Sequence, residues 1–230
     1  DQRQPHNKYQ WQHIRHQLEQ SLVNLKRDFV DIYYFHNADF GRDDAYLDDA
    51  VAMMNKLKDE GKLRVIGQSA YTDADFLRVV PKVRPTVLQS FASAFQDHFI
   101  REDTPVYNLL KERRMSFIAF NPLEQGLLLN KYKYDQRPDF AEGDHRRNSD
   151  RYKPENLHKL GPKMAQIVAR FGNDTPALVR FALQYVLHQD VVAAVIPGFR
   201  NKAQVEINLA SAGKPLTAEE ITFIRQVFTD

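Results

Sequence analysis

The sequence has no cysteine among its 230 residues. That absence excludes disulfide bonds, thiolate catalysis and cysteine-ligated zinc, but it does not by itself assign a cellular compartment. The sequence also has no long apolar run, since stretches such as 191–196 fall far short of the roughly 20 residues that a membrane-spanning helix needs. The polar segment 1–8 lacks the apolar core of a secretory signal, so we expect a soluble cytoplasmic protein.

No charge of one sign dominates, because 32 Lys and Arg residues face 30 Asp and Glu residues. Short basic clusters such as 111–114 occur, but no basic stripe alternates with aromatic residues, and nucleic-acid binding is therefore not predicted. The sequence also lacks a Walker loop and a Ser-His-Asp set, and 139–144 lacks the spacing of a calcium loop. His13 and His16 share one face of a predicted helix, but no carboxylate completes a set of metal ligands with them, so we predict no metal site.

What the sequence does contain is the pattern of an α/β protein, with an ordinary 43% of apolar and 27% of charged residues. Five β-branched or aromatic runs alternate with amphipathic helices, which predicts a parallel α/β sheet or barrel in a single domain over 1–230. The first run, 30–35, is typical of an interior strand of such a sheet. The segment 131–152 has no period, which predicts a long surface loop of the kind that is often functional. The predicted strands lie near residues 30, 63, 86, 116 and 191, and the predicted helix caps are Thr72, Thr175, Asn201 and Thr217.

Polar residues follow the predicted strands at their carboxyl ends, where α/β proteins place their chemistry. His36 directly follows the strand 30–35, and an imidazole there suits acid–base chemistry or carbonyl polarisation; a hydrogen-bonded residue on the rim is the competing interpretation. The turn 197–198 runs into a helix opened by Asn201, a geometry whose free amides suit a phosphate, although many βα turns contain glycine for structural reasons alone. The other polar strand ends are Ser69, Gln89 and Asn121.

In chain order, these features resemble the aldo-keto reductases, a family of (β/α)8-barrel enzymes that use NADP(H). The resemblance covers nearly all of the chain, from the family's third barrel helix to the C-terminus. It implies an α/β fold of the (β/α)8 TIM-barrel type that is incomplete here, with about five parallel strands and extra C-terminal helices. The motifs that carry it are 18–22, 30–33 with His36, 60–67 with Ser69, Gln89, 121–127 and 196–201.

The resemblance also implies a function and a site: hydride transfer between NADPH and an aldehyde or ketone. His36 matches the family's active-site histidine, which orients and polarises the carbonyl. Ser69 and Gln89 match residues that bind the nicotinamide carboxamide, and Phe120 takes the place of an aromatic residue that stacks on the nicotinamide. The remaining cofactor matches are Asn121, Leu123 and Gln125 along the pyrophosphate, Lys131 and Arg146 near the phosphates, and Gly198, Arg200, Gln204 and Asn208 at the adenosine and 2'-phosphate end, where a guanidinium favours NADP over NAD.

Some positions depart from the family pattern. Ala70 stands where the family commonly has Asn, and Ile207 stands where a Glu commonly approaches the adenine. We therefore expect some of the family's contacts to the cofactor to be missing. The family's catalytic Asp, Tyr and Lys lie in N-terminal units that have no match in this chain, and neither Tyr33 nor Tyr34 takes the place of that Tyr. Because His36 alone is a poor proton source, we expect this chain to be inactive by itself.

Three interpretations therefore stay open. The chain is the larger part of a reductase whose N-terminal units are missing, or a shortened, non-catalytic relative that binds NADP(H) or a partner protein, or a non-redox enzyme that uses His36 as a base. Five strands cannot close a barrel of eight, so the first and last strands would expose unpaired edges. Besides a small carbonyl substrate, we therefore expect a homo-oligomer or a completing chain that covers the open edge.

Overall fold

The computed structural model describes residues 8–228, and the rest of the chain, including most of the polar segment 1–8, lies outside the described residues. Within 8–228, five β-strands alternate with α-helices, which confirms the predicted α/β fold. No helix of this part is long and apolar enough to cross a membrane. The strands are β1 Val30–Phe35, β2 Leu63–Ser69, β3 Val87–Phe91, β4 Ser116–Phe120 and β5 Val192–Ile196. The helices are α1 Trp11–Leu25, α2 Leu47–Asp59, α3 Asp73–Val83, α4 Pro105–Glu112, α5 Pro154–Phe171, α6 Thr175–Leu187, α7 Lys202–Ala212 and α8 Ala218–Phe228.

Contacts divide the chain into two compact units. Unit 1 contains the residues up to 90 together with 99–118, and unit 2 contains 91–98 together with 119–230. In unit 1, β1 pairs with β2 and β2 pairs with β3, both in parallel and with a helix between successive strands, as expected for βαβ crossovers. In the strand order, β5 follows β4. That residues 1–230 form one domain stays a prediction.

β1 is an edge strand. It lies at the end of the strand order, pairs only with β2 within the described residues, and leaves Ile32 37% exposed. The interpretation of 30–35 as an interior strand is therefore wrong, whereas the expectation that the first strand exposes an unpaired edge agrees with the strand order. Apolar and aromatic composition indicates that a strand forms, but it does not indicate whether a neighbour covers both of its sides.

A glycine leaves room for an aromatic ring where β1 pairs with β2. Tyr34 is the register partner of Gly67, and its ring packs so closely that a Cβ at Gly67 would lie 2.4 Å from two ring carbons. Because carbon atoms do not approach to that distance, any side chain at position 67 would displace the Tyr34 ring. The position of the Tyr34 ring over β2 therefore requires glycine at this point.

Helix starts follow the predicted caps with one exception. The side chains of Thr72 and Asn201 accept hydrogen bonds from the backbone N–H groups of the third residues that follow, as predicted for α3 and α7. Thr217 and Glu220 form a reciprocal capping box at α8. Thr175 does not cap α6, however. The carboxylate of Asp174 accepts from the Ala177 N–H at 2.9 Å, and Thr175 is the first helical residue.

The segment 131–152 in unit 2 is irregular, as predicted, apart from short 3-10 turns at His145–Asn148 and Asp150–Tyr152. It is not merely a surface loop, because it contributes aromatic residues to the interior. Tyr152 is fully buried, and its ring packs edge-to-face on Phe140 and Tyr132, with centroids 4.8 and 5.6 Å away. This aromatic cluster gives the loop a fixed course.

Candidate functional site

The structure brings together the predicted site residues of unit 1 at the carboxyl ends of neighbouring strands. Ser69 is the last residue of β2, and its register partner on β3 is Gln89. His36 directly follows Phe35, which pairs with the residue before Ser69. His36 is exposed, whereas Ser69 is buried. The three residues therefore lie at the same end of the sheet, the end at which the strands' carboxyl termini meet, as the sequence predicted.

Tyr9 contacts the residue after His36, and Tyr33 and Tyr34 precede His36 on β1, but none of the three is adapted to release a proton near neutral pH. The Tyr9 hydroxyl donates to the Asn37 carbonyl at 2.8 Å, and burial raises the pKa of Tyr9 to about 12. Burial also raises the pKa of Tyr33, and it raises that of Tyr34 to about 12. The Tyr34 hydroxyl has no hydrogen-bond partner among the described residues. A general acid needs a shift in the opposite direction.

Unit 2 contains a cavity of about 580 Å³. Its walls come from the loop after β4, the segment 131–152, the start of α6, the turn after β5 and the first turns of α7. Phe120 is not among the lining residues, and its ring packs edge-to-face on Phe91 with centroids 6.3 Å apart. Nine of the residues predicted for the cofactor do line this cavity: Asn121, Leu123, Gln125, Lys131, Arg146, Gly198, Arg200, Gln204 and Asn208.

The loop after β4, residues 121–126, has an unusual backbone. Four of its residues have positive φ angles, which lie in a left-handed region that residues other than glycine rarely adopt. These residues are Asn121 at 60°, Glu124 at 48°, Gln125 at 54° and Gly126 at 96°. The Asn121 side chain partly stabilises this course by accepting from the Gln125 N–H at 3.0 Å. Such clusters of left-handed residues occur at ligand sites, where the surrounding structure holds them in place.

A buried carboxylate supports this loop. Glu124 is 1% exposed, forms an ion pair with Arg151 and accepts from the Ser93 hydroxyl at 2.7 Å. Arg151 also donates to the Gln96 side chain at 2.9 Å. Burial raises the pKa of the Glu124 carboxyl, and the Arg151 guanidinium opposes that shift. Sequence reasoning missed this cluster, because charged residues in polar segments give no signal of burial.

The cationic side chains that line the cavity differ in whether a carboxylate already pairs with them. The side chains of Lys131 and Arg200 have no hydrogen-bond or ion-pair partner within residues 8–228. Arg146, by contrast, is held by Asp144 through contacts of 2.9 and 2.5 Å and lies 4.6 Å from the centre of the Phe140 ring. That guanidinium keeps the pKa of Asp144 well below its ordinary value. The cavity therefore presents uncompensated positive charge at Lys131 and Arg200.

Several cavity groups are suited to a ligand that is both anionic and rich in hydrogen-bonding atoms. The Asn208 amide nitrogen and the Gln125 side-chain oxygen are buried without a partner among the described residues, which leaves a donor and an acceptor unsatisfied. At Gly198, a Cβ would meet no atom within 4 Å, so the backbone there faces open space. Ile207 adds an apolar wall. A phosphorylated nucleotide has the matching chemistry, namely phosphate charge, polar edges and a flat apolar face.

Known proteins resemble this chain over most of its length. The model of the aldo/keto reductase family matches residues 1–228. Aldo-keto reductase yakc [NADP(+)] of Schizosaccharomyces pombe is 28% identical over 217 residues, which are 93% of this chain and 62% of that protein. The NADH-specific methylglyoxal reductase of Escherichia coli is 29% identical over 218 residues, which are 93% of this chain and 64% of that protein. The chain thus spans less than two thirds of the length of these relatives.

A solved structure shows the same likeness in three dimensions. The holo form of the aldo-keto reductase AKR11C1 from Bacillus halodurans superposes with a TM-score of 0.73 at 25% identity. The superposition covers 95% of this chain and 68% of that one. The TIM-barrel type of fold expected from the sequence is consistent with this likeness.

Proposed function

The chain belongs to the aldo/keto reductase family, and from this premise we propose that its unit 2 cavity binds NADP(H) for hydride exchange with an aldehyde or ketone. One observation carries the proposal. Nine residues predicted from scattered motifs line a single cavity that presents unpaired positive charge. Residues that are far apart in sequence but share a function are expected to converge in this way.

The lining residues divide the work of holding the cofactor. Lys131 and Arg200 would bind phosphate groups, and the fork-shaped guanidinium of Arg200 suits a 2'-phosphate through paired hydrogen bonds. The unsatisfied amide groups of Asn208 and Gln125 offer a donor and an acceptor to polar edges of the nucleotide. NADPH bound here would supply the hydride. The preference for NADP over NAD is the finer part of the proposal and depends on Arg200, since the relatives' names include both cofactors.

The proposed roles in unit 1 concern the reacting groups. His36, exposed at the end of β1, would donate a hydrogen bond to a substrate carbonyl and so polarise it. Ser69 and Gln89, register partners on adjacent strands, would hold the nicotinamide carboxamide. These roles stay predictions.

Nucleotide binding without turnover by this chain is a second candidate, and one observation favours it. Burial raises the pKa of both tyrosines that precede His36. A raised pKa makes each phenol a weaker acid at neutral pH, whereas carbonyl reduction requires a proton donor. In that case the chain would bind NADP(H) without reducing a carbonyl.

Calorimetric titration of the 230-residue chain with NADPH and with NADH tests the proposal. We expect micromolar binding of NADPH, and we expect Arg200→Gln to weaken it by about tenfold while leaving NADH binding nearly unchanged, because the lost bonds are made to the 2'-phosphate. The control is Arg42→Gln, which removes a guanidinium that is 96% exposed in unit 1. Absence of NADPH binding up to millimolar concentration would overturn the proposal.

A separate assay distinguishes the two candidates. NADPH oxidation is followed by absorbance in the presence of an aldehyde, first for the unmodified chain and then for His36→Gln. Turnover that falls with His36→Gln supports the reductase, whereas tight NADPH binding with no turnover supports the binding protein.

A further inference from the structure

We propose that Glu124 and Arg151 are positioning residues whose ion pair holds residues 121–126 in the conformation that lines the cavity. Neither side chain lines the cavity itself. The inference rests on the proposed function, since it concerns how this chain fixes the loop against which the nucleotide would bind. The pair would act on affinity through Leu123 and Gln125, which do line the cavity.

The loop alternates between two environments. Leu123 and Gln125 face the cavity, while the carboxylate of Glu124 between them contacts Ser93 and Arg151. A carboxylate that is 1% exposed requires compensation for the solvation it has lost, and the guanidinium together with the hydroxyl provides it. Holding Glu124 in this position therefore keeps the side chains of Leu123 and Gln125 directed toward the cavity.

The backbone of the loop needs such an anchor. The hydrogen bonds within it, from Glu124 N–H to the Asn121 carbonyl at 3.1 Å and from Gly126 N–H to the Leu123 carbonyl at 2.9 Å, are local. Local bonds do not compensate for three non-glycine residues in the left-handed region, because each prefers another conformation. Contacts from distant parts of the chain must hold the loop.

The segment that ends at Tyr152 supplies those contacts twice. Arg151 pairs with Glu124, and the Tyr152 hydroxyl donates to the Gln125 carbonyl at 3.2 Å. Arg151 is fixed in turn by its second bond, to Gln96 at 2.9 Å. The guanidinium thus joins three segments, and its planar fork suits it to this task better than a lysine would. Loss of Arg151 would leave the buried Glu124 carboxylate without a counter-charge. Loss of Glu124 would leave the guanidinium, whose side chain is 32% exposed, bonded to Gln96 but no longer to the loop.

The test compares NADPH affinity of the full chain with that of Glu124→Gln, Arg151→Met and Arg151→Lys, all measured by calorimetry well below their unfolding temperatures. We expect Glu124→Gln and Arg151→Met each to weaken NADPH binding by about tenfold, and Arg151→Lys to regain part of that loss by restoring a charge without the fork. Amide hydrogen exchange of the ligand-free proteins should rise within residues 121–126 in the two weakened variants.

The matched control is Glu220→Gln, also in unit 2. Glu220 pairs with Arg180 at 3.0 Å and accepts one further bond, from the Thr217 N–H at 2.8 Å, but it lies outside the cavity lining. This variant should unfold at a lower temperature while binding NADPH within about twofold of the unmodified chain. A role for Glu124 in general stability alone would make both Glu→Gln variants behave alike.

The outcomes separate the inference from the function. If the unmodified chain binds NADPH but Glu124→Gln and Arg151→Met bind it equally well, or if Glu220→Gln weakens binding as much as they do, the inference is wrong and the function stands. If the unmodified chain does not bind NADPH, the proposed function fails and the inference falls with it. If Glu124→Gln fails to fold, the comparison of Arg151→Met with Glu220→Gln decides.

Discussion

Arg146 enters the cavity with its charge already compensated. Asp144 accepts hydrogen bonds from two nitrogens of its guanidinium, and the Tyr132 hydroxyl lies 3.1 Å from the third nitrogen. The sequence interpretation gave Arg146 the same role as Lys131, but their states differ, because a phosphate near Arg146 would compete with a carboxylate already in place. Arg146 therefore contributes more to the shape of the cavity wall than to its charge.

Asp144→Asn should release that charge. We expect the variant to bind NADPH several-fold more tightly, with a steeper decline as ionic strength rises, because one more unpaired cation faces the cavity. Calorimetry at low and high salt measures both quantities. The control is Asp139→Asn, which removes a negative charge from the same lining but frees no guanidinium. Equal effects of the two variants, or weaker binding by Asp144→Asn, would contradict this account.

Motif reasoning located the residues of the cavity because it compares positions along the chain. It placed residues from Asn121 to Asn208 in one predicted role, and the structure brings nine of them to one cavity. It missed Glu124 and Arg151 because their significance lies in a contact between residues 27 positions apart, and neither residue type suggests burial. The predicted roles of the lining residues themselves await the binding measurements.

At the scale of elements, the helix starts show how local rules succeed and fail. Strand and helix positions follow from periodicity, and most caps follow from residue type. Asp174 and Thr175 are both good capping residues, and type alone does not choose between them. The structure chooses Asp174, because Thr175 followed by Pro176 then takes the first helical turn.

Asp174→Ala is therefore expected to lower the free energy of unfolding by about 1 kcal/mol, since the Ala177 N–H loses its acceptor. Thr175→Ala, the adjacent control, should change it by only a few tenths of a kcal/mol, because Ala is a good helix former at that position. Chemical denaturation of both variants measures the difference. A larger effect from Thr175→Ala would restore the original prediction.

An ion network joins α1 to the residues between α2 and β2. Arg15 donates to both oxygens of Glu60, at 2.8 and 2.5 Å, and Lys62 lies 3.4 Å from the same carboxylate. These bonds, that to Arg15 above all, lower the pKa of Glu60 from 4.5 to about 2. A lowered folded-state pKa means that the carboxylate stabilises the fold above its unfolded-state pKa and stops doing so as the pH falls through the folded-state value.

Glu60→Gln should therefore be less stable than the unmodified chain at neutral pH, and the difference should disappear as the pH falls from about 4.5 to about 2. Denaturation at a series of pH values measures it. Glu102→Gln, an exposed position in the same unit, serves as the control and should show little difference at any pH. A gap between Glu60→Gln and the unmodified chain that persists at the acid end would show that the pair is not its cause.

At the scale of the whole molecule, unit 1 leaves apolar side chains exposed on its edge strand β1 and on α1. Ile32 on β1 is 37% exposed, and Val23 and Leu25 on α1 are 70% and 57% exposed. Leu25 follows the buried Ile14 and Leu18 at helical spacing, so spacing alone does not show how far the buried face of α1 extends. An edge strand with an open apolar residue tends to pair with another chain.

We therefore propose self-association through β1 and expect light scattering to show a mass that rises with protein concentration. Ile32→Lys should reduce that rise, because a charge on an edge strand disfavours strand pairing. Leu77→Lys introduces the same charge at a residue of unit 1 that is 45% exposed on α3, where no strand can pair, and should leave the mass unchanged. A monomer at every concentration would contradict the proposal.

Unit 2 is discontinuous along the chain, so the ribosome synthesises its parts at different times. Its segment 91–98 leaves the ribosome early, but its partners appear later: Glu124 for Ser93, Arg151 for Gln96 at a separation of 55 residues, and Tyr185 for Asp97 at a separation of 88. Contacts of such long separation form slowly, because the loop they close must first be made and ordered. The polar groups of the segment 91–98 therefore stay hydrated until α6 has been synthesised. We expect this unit to be most prone to misfolding during the interval in which residues 98 to 185 are synthesised.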